Sequence, residues 1–349
     1  MKSLHIKYRL NFHLNDVIHR CSNIHLKELF IGDFQGKFED LILLFKGTRN
    51  LRNLTISVAN NLDILNASQW EQLITGFLPY LKNFQFQFTC SLITNRWNII
   101  FDKFPQFQSD FWQKEHHWCT EYIKQYDSAS IYTKPYPCDH FYFHYKDSKF
   151  CSNSMAYTNV TNLHYSIGKC FENDQFYFPN IRSLIFNRFQ PTSRLTIRQI
   201  QSIKRILNLS TVKHLSIRQI DPVECSSLIE LFQNLSQLSS LTIDSFSLRL
   251  CLKNNQLCQY FTEKIENFDQ NGFDLLWYDI HIDQFCQIFS NIKHIQCNID
   301  REMDLIILLK HLPKLSTMKI TCASEDHQDP KMKSILFEQE IRPFNLVYK

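Results

Sequence analysis

Four side chains able to bind a metal or act as a nucleophile lie close together in the stretch FWQKEHHWCTEY, residues 111–122. They are Glu115, His116, His117 and Cys119. Imidazole nitrogen and thiolate sulfur are zinc ligands, and a cysteine beside a histidine is the pairing that activates a thiol nucleophile. The residue types alone therefore allow a metal site or a catalytic thiol. Their spacing must show whether either kind of site is present.

The spacing of these and the following histidines and cysteines matches no metal or catalytic motif. Zinc sites usually combine C-x₂₋₄-C with H-x₃₋₅-H. His140 and His144 have a suitable separation, but Cys138 and Cys151 are too far apart to complete the set, and EHHW is not the HExxH of metalloproteases. No local signature supports a Cys–His nucleophile either. We therefore predict no catalytic residue and no metal ligand.

The stretch GDFQGKF, residues 32–38, has the outline of a phosphate-binding loop. Three residues separate its two glycines where the P-loop has four, and Phe38 stands where Ser or Thr would bind Mg²⁺. The whole chain of 349 residues contains only 6 glycines, which are too few to favour glycine-rich phosphate-binding loops. We therefore interpret this stretch as a turn, and we predict no cofactor and no enzymatic activity.

A short apolar pattern, φxxφxφ with φ aliphatic or aromatic, recurs along the chain at intervals of about 25 residues. Its copies are MKSLHI at 1, LKELFI at 26, LRNLTI at 51, LKNFQF at 81, VTNLHY at 160, IRSLIF at 181, VKHLSI at 212, LSSLTI at 238, IENFDQ at 265, IKHIQC at 292 and LSTMKI at 315. Its φxφ part has the period of a β-strand.

The stretches between these copies have helical spacing instead. Phe38, Leu41, Ile42 and Phe45 fall on one stripe of a helix, and later stretches follow the same plan. Each unit is thus predicted to be a helix, a turn and a strand. One such unit cannot bury its own apolar side, so stacked units are predicted to form a continuous core between a parallel sheet and a helix layer.

The pattern resembles the leucine-rich repeat, LxxLxLxxN/C-x-L, over residues 1–90 and 159–323. The first half of the motif matches well, whereas the ladder Asn or Cys is absent. The resemblance implies an α/β solenoid, a horseshoe with its parallel sheet on the concave face and helices on the convex face. Helix-bearing units of this length are most similar to the repeat region of F-box/leucine-rich-repeat proteins, although we find no F-box-like helical block.

The predicted domain organisation follows from the interruption of the repeat. Residues 1–94 hold the N-terminal repeats, 95–158 an aromatic insert packed on the solenoid, 159–323 the C-terminal repeats and 324–349 a cap or tail. Within the insert, aromatic residues recur every three or four positions, as in a helical stripe. A strand at 141–145 is predicted to add another rung to the sheet.

The insert leaves two interpretations open. Phe111, Trp112 and Trp118 either seal the seam between residues 90 and 159 or stand exposed as an anchor for a partner. Packing is the simpler outcome, but insertions in solenoids cluster on one face and often bind partners.

Alternate strand positions are predicted to face the concave side, where they form a mostly uncharged, polar surface. Nucleic acid is held mainly by contacts between its phosphates and lysine or arginine side chains. Because this surface is mostly uncharged, it favours a protein partner instead. The predicted partner-binding residues are Phe30, Asn53, Gln85, Gln87, His164, Ile185, His214 and Arg218 on the concave face, and Trp112 and Trp118 in the insert.

Composition excludes several other functional classes. The formal charge of +4 is mild for this length, which argues against nucleic-acid and anionic-membrane partners. Neither a secretory signal nor a membrane span is visible, so we expect the protein in the cytoplasm or nucleus.

The resemblance to F-box/leucine-rich-repeat proteins implies substrate recognition in a ubiquitin ligase, with a cullin-ligase adaptor as partner if an F-box lies upstream. The alternative is a free-standing repeat scaffold with no ubiquitin role.

Overall fold

The structure of the protein is a computed structural model. It describes residues 3–6, 25–91, 97–124, 128–143, 148–149, 157–167, 176–188, 195–217, 225–270, 281–299, 302–321 and 345–348. The strands are β1 (Ser3–Ile6), β2 (Glu28–Phe34), β3 (Asn53–Ala59), β4 (Asn83–Ser91), β5 (Thr120–Lys124), β6 (Ser128–Thr133), β7 (His140–Phe143), β8 (Ser148–Lys149), β9 (Asn162–Ile167), β10 (Ser183–Arg188), β11 (His214–Ile217), β12 (Ser240–Ile243), β13 (Asn267–Gln270), β14 (His294–Asn298), β15 (Thr317–Thr321) and β16 (Asn345–Tyr348).

Helices lie between most of these strands. They are α1 (Phe38–Lys46), α2 (Ala67–Phe77), α3 (Trp97–Lys103), α4 (Ile197–Ile206), α5 (Cys225–Asn234), α6 (Ser245–Leu252), α7 (Asn255–Lys264), α8 (Ile282–Ile288) and α9 (Glu302–His311). Shorter turns of 3₁₀ helix lie at Leu62–Ile64, Phe104–Gln108 and Leu209–Thr211, and a π-helical turn lies at Phe111–Glu115. Across the described ranges, no helix has the length and apolar character that crossing a bilayer requires.

The strands form two sheets that belong to two compact units of the chain. The first sheet has the order β1-β2-β3-β4-β6-β5-β8 and the second β16-β15-β14-β13-β12-β11-β10-β9-β7. Unit 1 comprises Met1–Asp139, Lys146–Val160 and Gln175–Tyr177, and unit 2 comprises His140–Tyr145, Thr161–Asp174 and Phe178–Lys349. The predicted four-segment division of the chain remains a prediction.

Successive repeats stack in register through their backbones. The carbonyl oxygen of Lys27 accepts from the amides of Arg52 and Asn53, at 2.8 and 3.0 Å. The carbonyl oxygen of Arg52 accepts in turn from Lys82 and Asn83 at the same two distances, and the same pairing recurs along unit 2. Every strand of the second sheet runs parallel to its neighbours. The predicted fold class, an α/β repeat solenoid of leucine-rich-repeat type, is confirmed.

The helix that begins after Asn66 shows why these sequences form helix–strand units. Asn66 accepts a hydrogen bond from the amide of Gln69 at 3.2 Å, which satisfies an otherwise unpaired donor of the first turn. Trp70, Leu73 and Ile74 then fall on one stripe, and all three are buried against the sheet. The helix therefore forms because its cap and its apolar stripe agree with its neighbours.

The aromatic stretch of the insert forms successive short helical turns, and Phe104 and Phe107 on these turns are buried. After short helical turns, the chain builds a hairpin of β5 and β6, and β6 pairs antiparallel with β4 at the end of the first sheet. The core positions Ala129 and Ile131 of β6 are buried, and Ser130 and Tyr132 on its other face are buried too. A strand covered on both faces has no alternation of apolar and polar residues, so the period of the sequence could not reveal it.

Both ends of the second sheet carry a strand outside the eleven regular copies. β7 pairs parallel with β9 and begins one residue earlier than predicted, which confirms the predicted extra rung for residues 141–143, whereas 144 and 145 lie outside the described residues. β16 pairs parallel with β15. The rest of the predicted tail, residues 324–344 and 349, lies outside the described part of the chain.

Helix α6 depends on a side-chain cap, which gives a first testable prediction. The Asp244 carboxylate accepts from the Ser247 amide and from the Ser247 hydroxyl, both at 2.9 Å. Asp244→Ala is expected to destabilise unit 2 by about 1 kcal/mol, because a donor of the first turn loses its acceptor. Faster hydrogen exchange over residues 245–252 would report this loss. Asp244→Asn retains an acceptor and should stay near wild type; equal exchange in both variants contradicts the capping role.

Candidate functional site

Each sheet presents one face to its helices and one face away from them. We call the second face the open face; its side chains alternate with the buried core positions. In β3 the core positions Leu54, Ile56 and Val58 are buried, whereas Asn53 and Thr55 are half-buried. This alternation confirms the predicted strand register, because a shift by one residue would bury the polar set.

The open face of unit 1 begins with a ladder of hydrogen-bonded polar side chains. Asn53 Nδ2 donates to Glu28 Oε1 at 3.1 Å, and Asn83 Nδ2 donates to Asn53 Oδ1 at 2.8 Å. The three residues occupy the same position of consecutive strands. Asn53 therefore ties neighbouring repeats together, and its predicted contact with a partner remains a prediction.

The two predicted glutamines of unit 1 differ in how far their amides are already engaged. Gln85 accepts one weak hydrogen bond, from the Thr55 hydroxyl at 3.5 Å. Gln87 accepts from the Cys138 thiol at 2.9 Å and donates to the Thr89 hydroxyl at 3.4 Å. Because both ends of the Gln87 amide have internal partners, Gln85 is the freer of the two to bind another protein.

Phe30 is the aromatic residue that the sequence placed on this face. Its ring is half-buried and stacks on His5, with centroids 5.8 Å apart and planes 19° from parallel. The two residues are paired across β1 and β2. Phe30 thus presents part of a ring beside polar neighbours.

The open face of unit 2 carries a continuous row of aromatic and aliphatic side chains, which we call the aromatic row. It consists of Tyr142, His164 and Ile185, paired with one another across β7, β9 and β10. Tyr142 is 58% exposed and stacks on His164, with centroids 4.3 Å apart. His164 and Ile185 are half-buried. Tyr142 was not among the predicted partner-binding residues, although it lies in the predicted extra rung at a position that alternates with the core positions.

The remaining predicted residues of the second open face continue the sheet in polar form. His214 Nδ1 lies 2.9 Å from the Ser240 hydroxyl on the next strand, so its ring is oriented by that contact. Arg218 lies outside the described residues. His214 and Ser240 are therefore half-buried polar groups near the aromatic row, whereas Ser216, which is paired with Ile185, and Thr242 are buried.

The two predicted tryptophans of the insert are core residues, which contradicts their proposed contact with a partner. Trp112 is fully buried and Trp118 is 6% exposed. Trp112 packs against Phe86 and Phe107, with centroids 5.7 and 5.0 Å apart, and its indole N–H donates to Glu71 at 2.9 Å. Packing within the core of unit 1 is therefore their role.

The histidines and cysteine of FWQKEHHWCTEY are not assembled into a site. His116 stacks on Trp118 at 4.2 Å, and desolvation lowers the pKa of its imidazole, with Glu115 opposing and His117 adding to that shift. His117 has a positive φ of 57°, and Cys119 is exposed. Over the ranges that the structure describes, no three His, Cys, Asp or Glu side chains are grouped as metal ligands. His144 and Cys151 lie outside those ranges.

Burial makes most of the described cysteines poor nucleophiles, which gives a second prediction. Desolvation raises the pKa of Cys138 and Cys297 to about 12 and that of Cys90 and Cys286 to about 11. Their thiols stay protonated at neutral pH, and only the thiolate attacks an alkylating reagent. Peptide mapping after brief iodoacetamide treatment should find the exposed Cys119 modified about a hundredfold faster than these four. Modification of Cys138 at a similar rate contradicts its burial.

Unit 1 contains a buried polar cluster that we did not predict from the sequence. The Glu121 carboxylate has no solvent exposure and lies 2.7 Å from Lys134 Nζ. The Tyr132 hydroxyl lies 3.2 Å from Glu121 Oε2 and 2.7 Å from the Tyr157 hydroxyl. Burial, and after it Tyr157 and Glu121, raises the pKa of Tyr132 well above its usual value. No sequence motif predicts this cluster, because its members come from separate segments of the insert.

Comparison with known proteins adds little to this geometry. No family model and no curated protein sequence matches the chain. Solved structures that resemble it include the leucine-rich repeat-containing protein LegL7 from Legionella pneumophila, at 10% identity and a TM-score of 0.31 over 96% of this chain and 89% of that chain. They also include the yeast Rad7–Elc1 complex, at 10% identity and a TM-score of 0.35 over 95% of this chain and 83% of that chain. The repeat architecture of this protein rests on its own strand register and helix packing.

Proposed function

We propose that this protein is a non-enzymatic module that binds another protein on the open face of unit 2, with the aromatic row as the anchor. The observation that carries this proposal is the alignment of Tyr142, His164 and Ile185 on three adjacent strands of an otherwise polar face. Tyrosine is enriched at energetic centres of protein interfaces, since its ring is rigid and amphipathic.

The polar neighbours of this row support a protein ligand over other ligands. His214 and Ser240 offer uncharged donors and acceptors, and the described strand positions of this face carry few lysines and arginines. Such groups match the hydrogen bonds of a peptide backbone. Nucleic acid would require a dense set of lysines and arginines on the same face.

In its finer form, the proposal is that the module recognises the substrate of an F-box-type ubiquitin ligase. This finer proposal is supported by the repeat architecture and by the resemblance of the repeat pattern to that of F-box/leucine-rich-repeat proteins. The alternative is a scaffold that uses the same face with no ubiquitin role. Direct binding of the full-length gene product to the F-box adaptor subunit favours the first, and lack of such binding favours the second.

Affinity capture with matched variants tests the binding face itself. Tyr142→Ser combined with Ile185→Ser should remove specific partners from the set captured by the wild-type protein. The control is Tyr177→Ser, because Tyr177 is also exposed, at 41%, but lies outside the aromatic row. Circular dichroism confirms that both variants are folded. Identical captured sets for all three proteins would exclude the aromatic row as the anchor.

A further inference from the structure

Unit 1 carries a line of cations at the edge where its strands begin. Lys27, Arg52 and Lys82 occupy the second position of three consecutive repeats, and all three are exposed. Their backbones are joined by the hydrogen bonds that stack the repeats, at 2.8 Å in both steps. Neighbouring strands lie about 4.8 Å apart, so the three side chains are spaced at this interval along one edge. We call these three residues the basic edge.

The cations of the basic edge are not neutralised within the described part of unit 1. Each of the described ion pairs involves other residues: Lys114 with Asp110, Lys134 with Glu121, Lys204 with Glu230, and Lys293 with Glu266. Arg49, in the turn before β3, adds an exposed cation beside Arg52. Three or four aligned charges without internal partners raise the local potential and attract an anionic ligand.

Unit 2 shows that this line is not a general property of the repeat. Its residues at the same motif position are Thr161, Arg182, Lys213, Ser239, Glu266, Lys293 and Ser316. The line is broken by neutral Ser239 and acidic Glu266, and Lys293 is paired with Glu266 at 2.9 Å. The unbroken line of unit 1 is therefore a local feature of that unit.

We infer that the basic edge is a docking surface for an acidic, extended peptide segment of a partner protein. Directly beside the three cations runs the ladder of Glu28, Asn53 and Asn83, whose exposed last member can bond a peptide backbone. Tyr80, which is 61% exposed, lies two residues before Lys82 and offers a ring to apolar side chains. A peptide has the carboxylates, the backbone and the side chains that these three features fit.

Nucleic acid is the less favoured occupant of this edge. Phosphate backbones bind where many cations act together, typically about six to ten contacts, and the edge supplies three or four. This inference is independent of the role proposed for the open face of unit 2, because no residue is shared.

Fluorescence anisotropy with a labelled peptide of alternating Glu and Ser tests the proposal. The wild-type protein should bind it with an affinity that falls as salt rises, since the charges are exposed and screened. The Lys27→Gln, Arg52→Gln, Lys82→Gln triple variant should bind about tenfold more weakly. A charge-conserving variant, Lys27→Arg with Arg52→Lys and Lys82→Arg, should retain binding.

A second triple variant separates the basic edge from net charge. Arg182→Gln, Lys213→Gln and Lys293→Gln remove the same number of charges from the same motif position of unit 2, and this variant should bind like wild type. Equal losses in both triple variants, or no saturable binding by the wild type, overturn the proposal. Tighter binding of an oligouridine probe than of the peptide, lost in the first variant, also overturns it in favour of nucleic acid.

Discussion

Trp112→Ala is expected to lower the unfolding free energy of unit 1 by about 3 to 5 kcal/mol. The Trp112 ring is fully buried among Phe84, Phe86, Phe107 and Trp118. Removing it leaves a cavity that these rings, held by β4, a 3₁₀ turn and the segment before β5, cannot fill by collapsing. The lost indole N–H also leaves the Glu71 carboxylate without one of its two donors.

Hydrogen exchange with mass spectrometry measures this effect unit by unit, which matters because two units need not unfold together. Peptides from β4, β5 and β6 should lose protection in Trp112→Ala, and peptides from β11 to β14 should keep it. Phe246→Ala is the control, because that ring is 44% exposed and its loss should cost under about 0.5 kcal/mol. Unchanged protection of β4 would show that Trp112 does not hold the core of unit 1.

Lys134→Met is expected to destabilise unit 1 by about 2 to 4 kcal/mol. It removes the ammonium group that lies 2.7 Å from the Glu121 carboxylate, which has no solvent exposure. Breaking a fully buried ion pair costs about 3 to 5 kcal/mol, and the partial exposure of the lysine, 28%, reduces that cost. Urea unfolding followed through the same exchange peptides provides the measurement.

A double-mutant cycle tests whether charge is the cause of this loss. Glu121→Gln with Lys134→Met removes both charges and keeps an acceptor for the Tyr132 hydroxyl, so it should be more stable than Lys134→Met alone. Lys134→Arg keeps the cation and should stay within about 1 kcal/mol of wild type. If the double variant is as unstable as Lys134→Met, the lost lysine stem and not the unpaired carboxylate explains the effect.

The repeat could be predicted from the sequence because its signal is local and recurs. Leu29 and Ile31 in one strand, and Leu54 and Ile56 in the next, hold equivalent positions that are all buried. Any helix–strand unit with this spacing must bury the same positions against its neighbours. The cap at Asn66 is a local feature of the same kind, since capping depends on residues a few positions away.

The surface residues were predicted in part. The same alternation placed Phe30, Gln85, His164, Ile185 and His214 on the open faces, where the structure has them. It did not reveal that Tyr142 joins His164 and Ile185 in a row, because β7 lacks the apolar lead-in of the other rungs. Nor could it show that internal bonds occupy both ends of the Gln87 amide.

The insert is where tertiary structure decided what the sequence left open. FWQKEHHWCTEY by itself allowed ligands, an exposed anchor or a packed seam, and the aromatic spacing of Phe104, Phe107 and Trp112 fits several of these. Its meaning depends on Phe84 and Phe86 of β4, which contact the Trp112 ring, and on Glu71, which accepts from its indole N–H, so that Trp112 is fully buried. Local periodicity fixes which side of an element is apolar, but only contacts between distant segments determine whether that side meets protein or solvent.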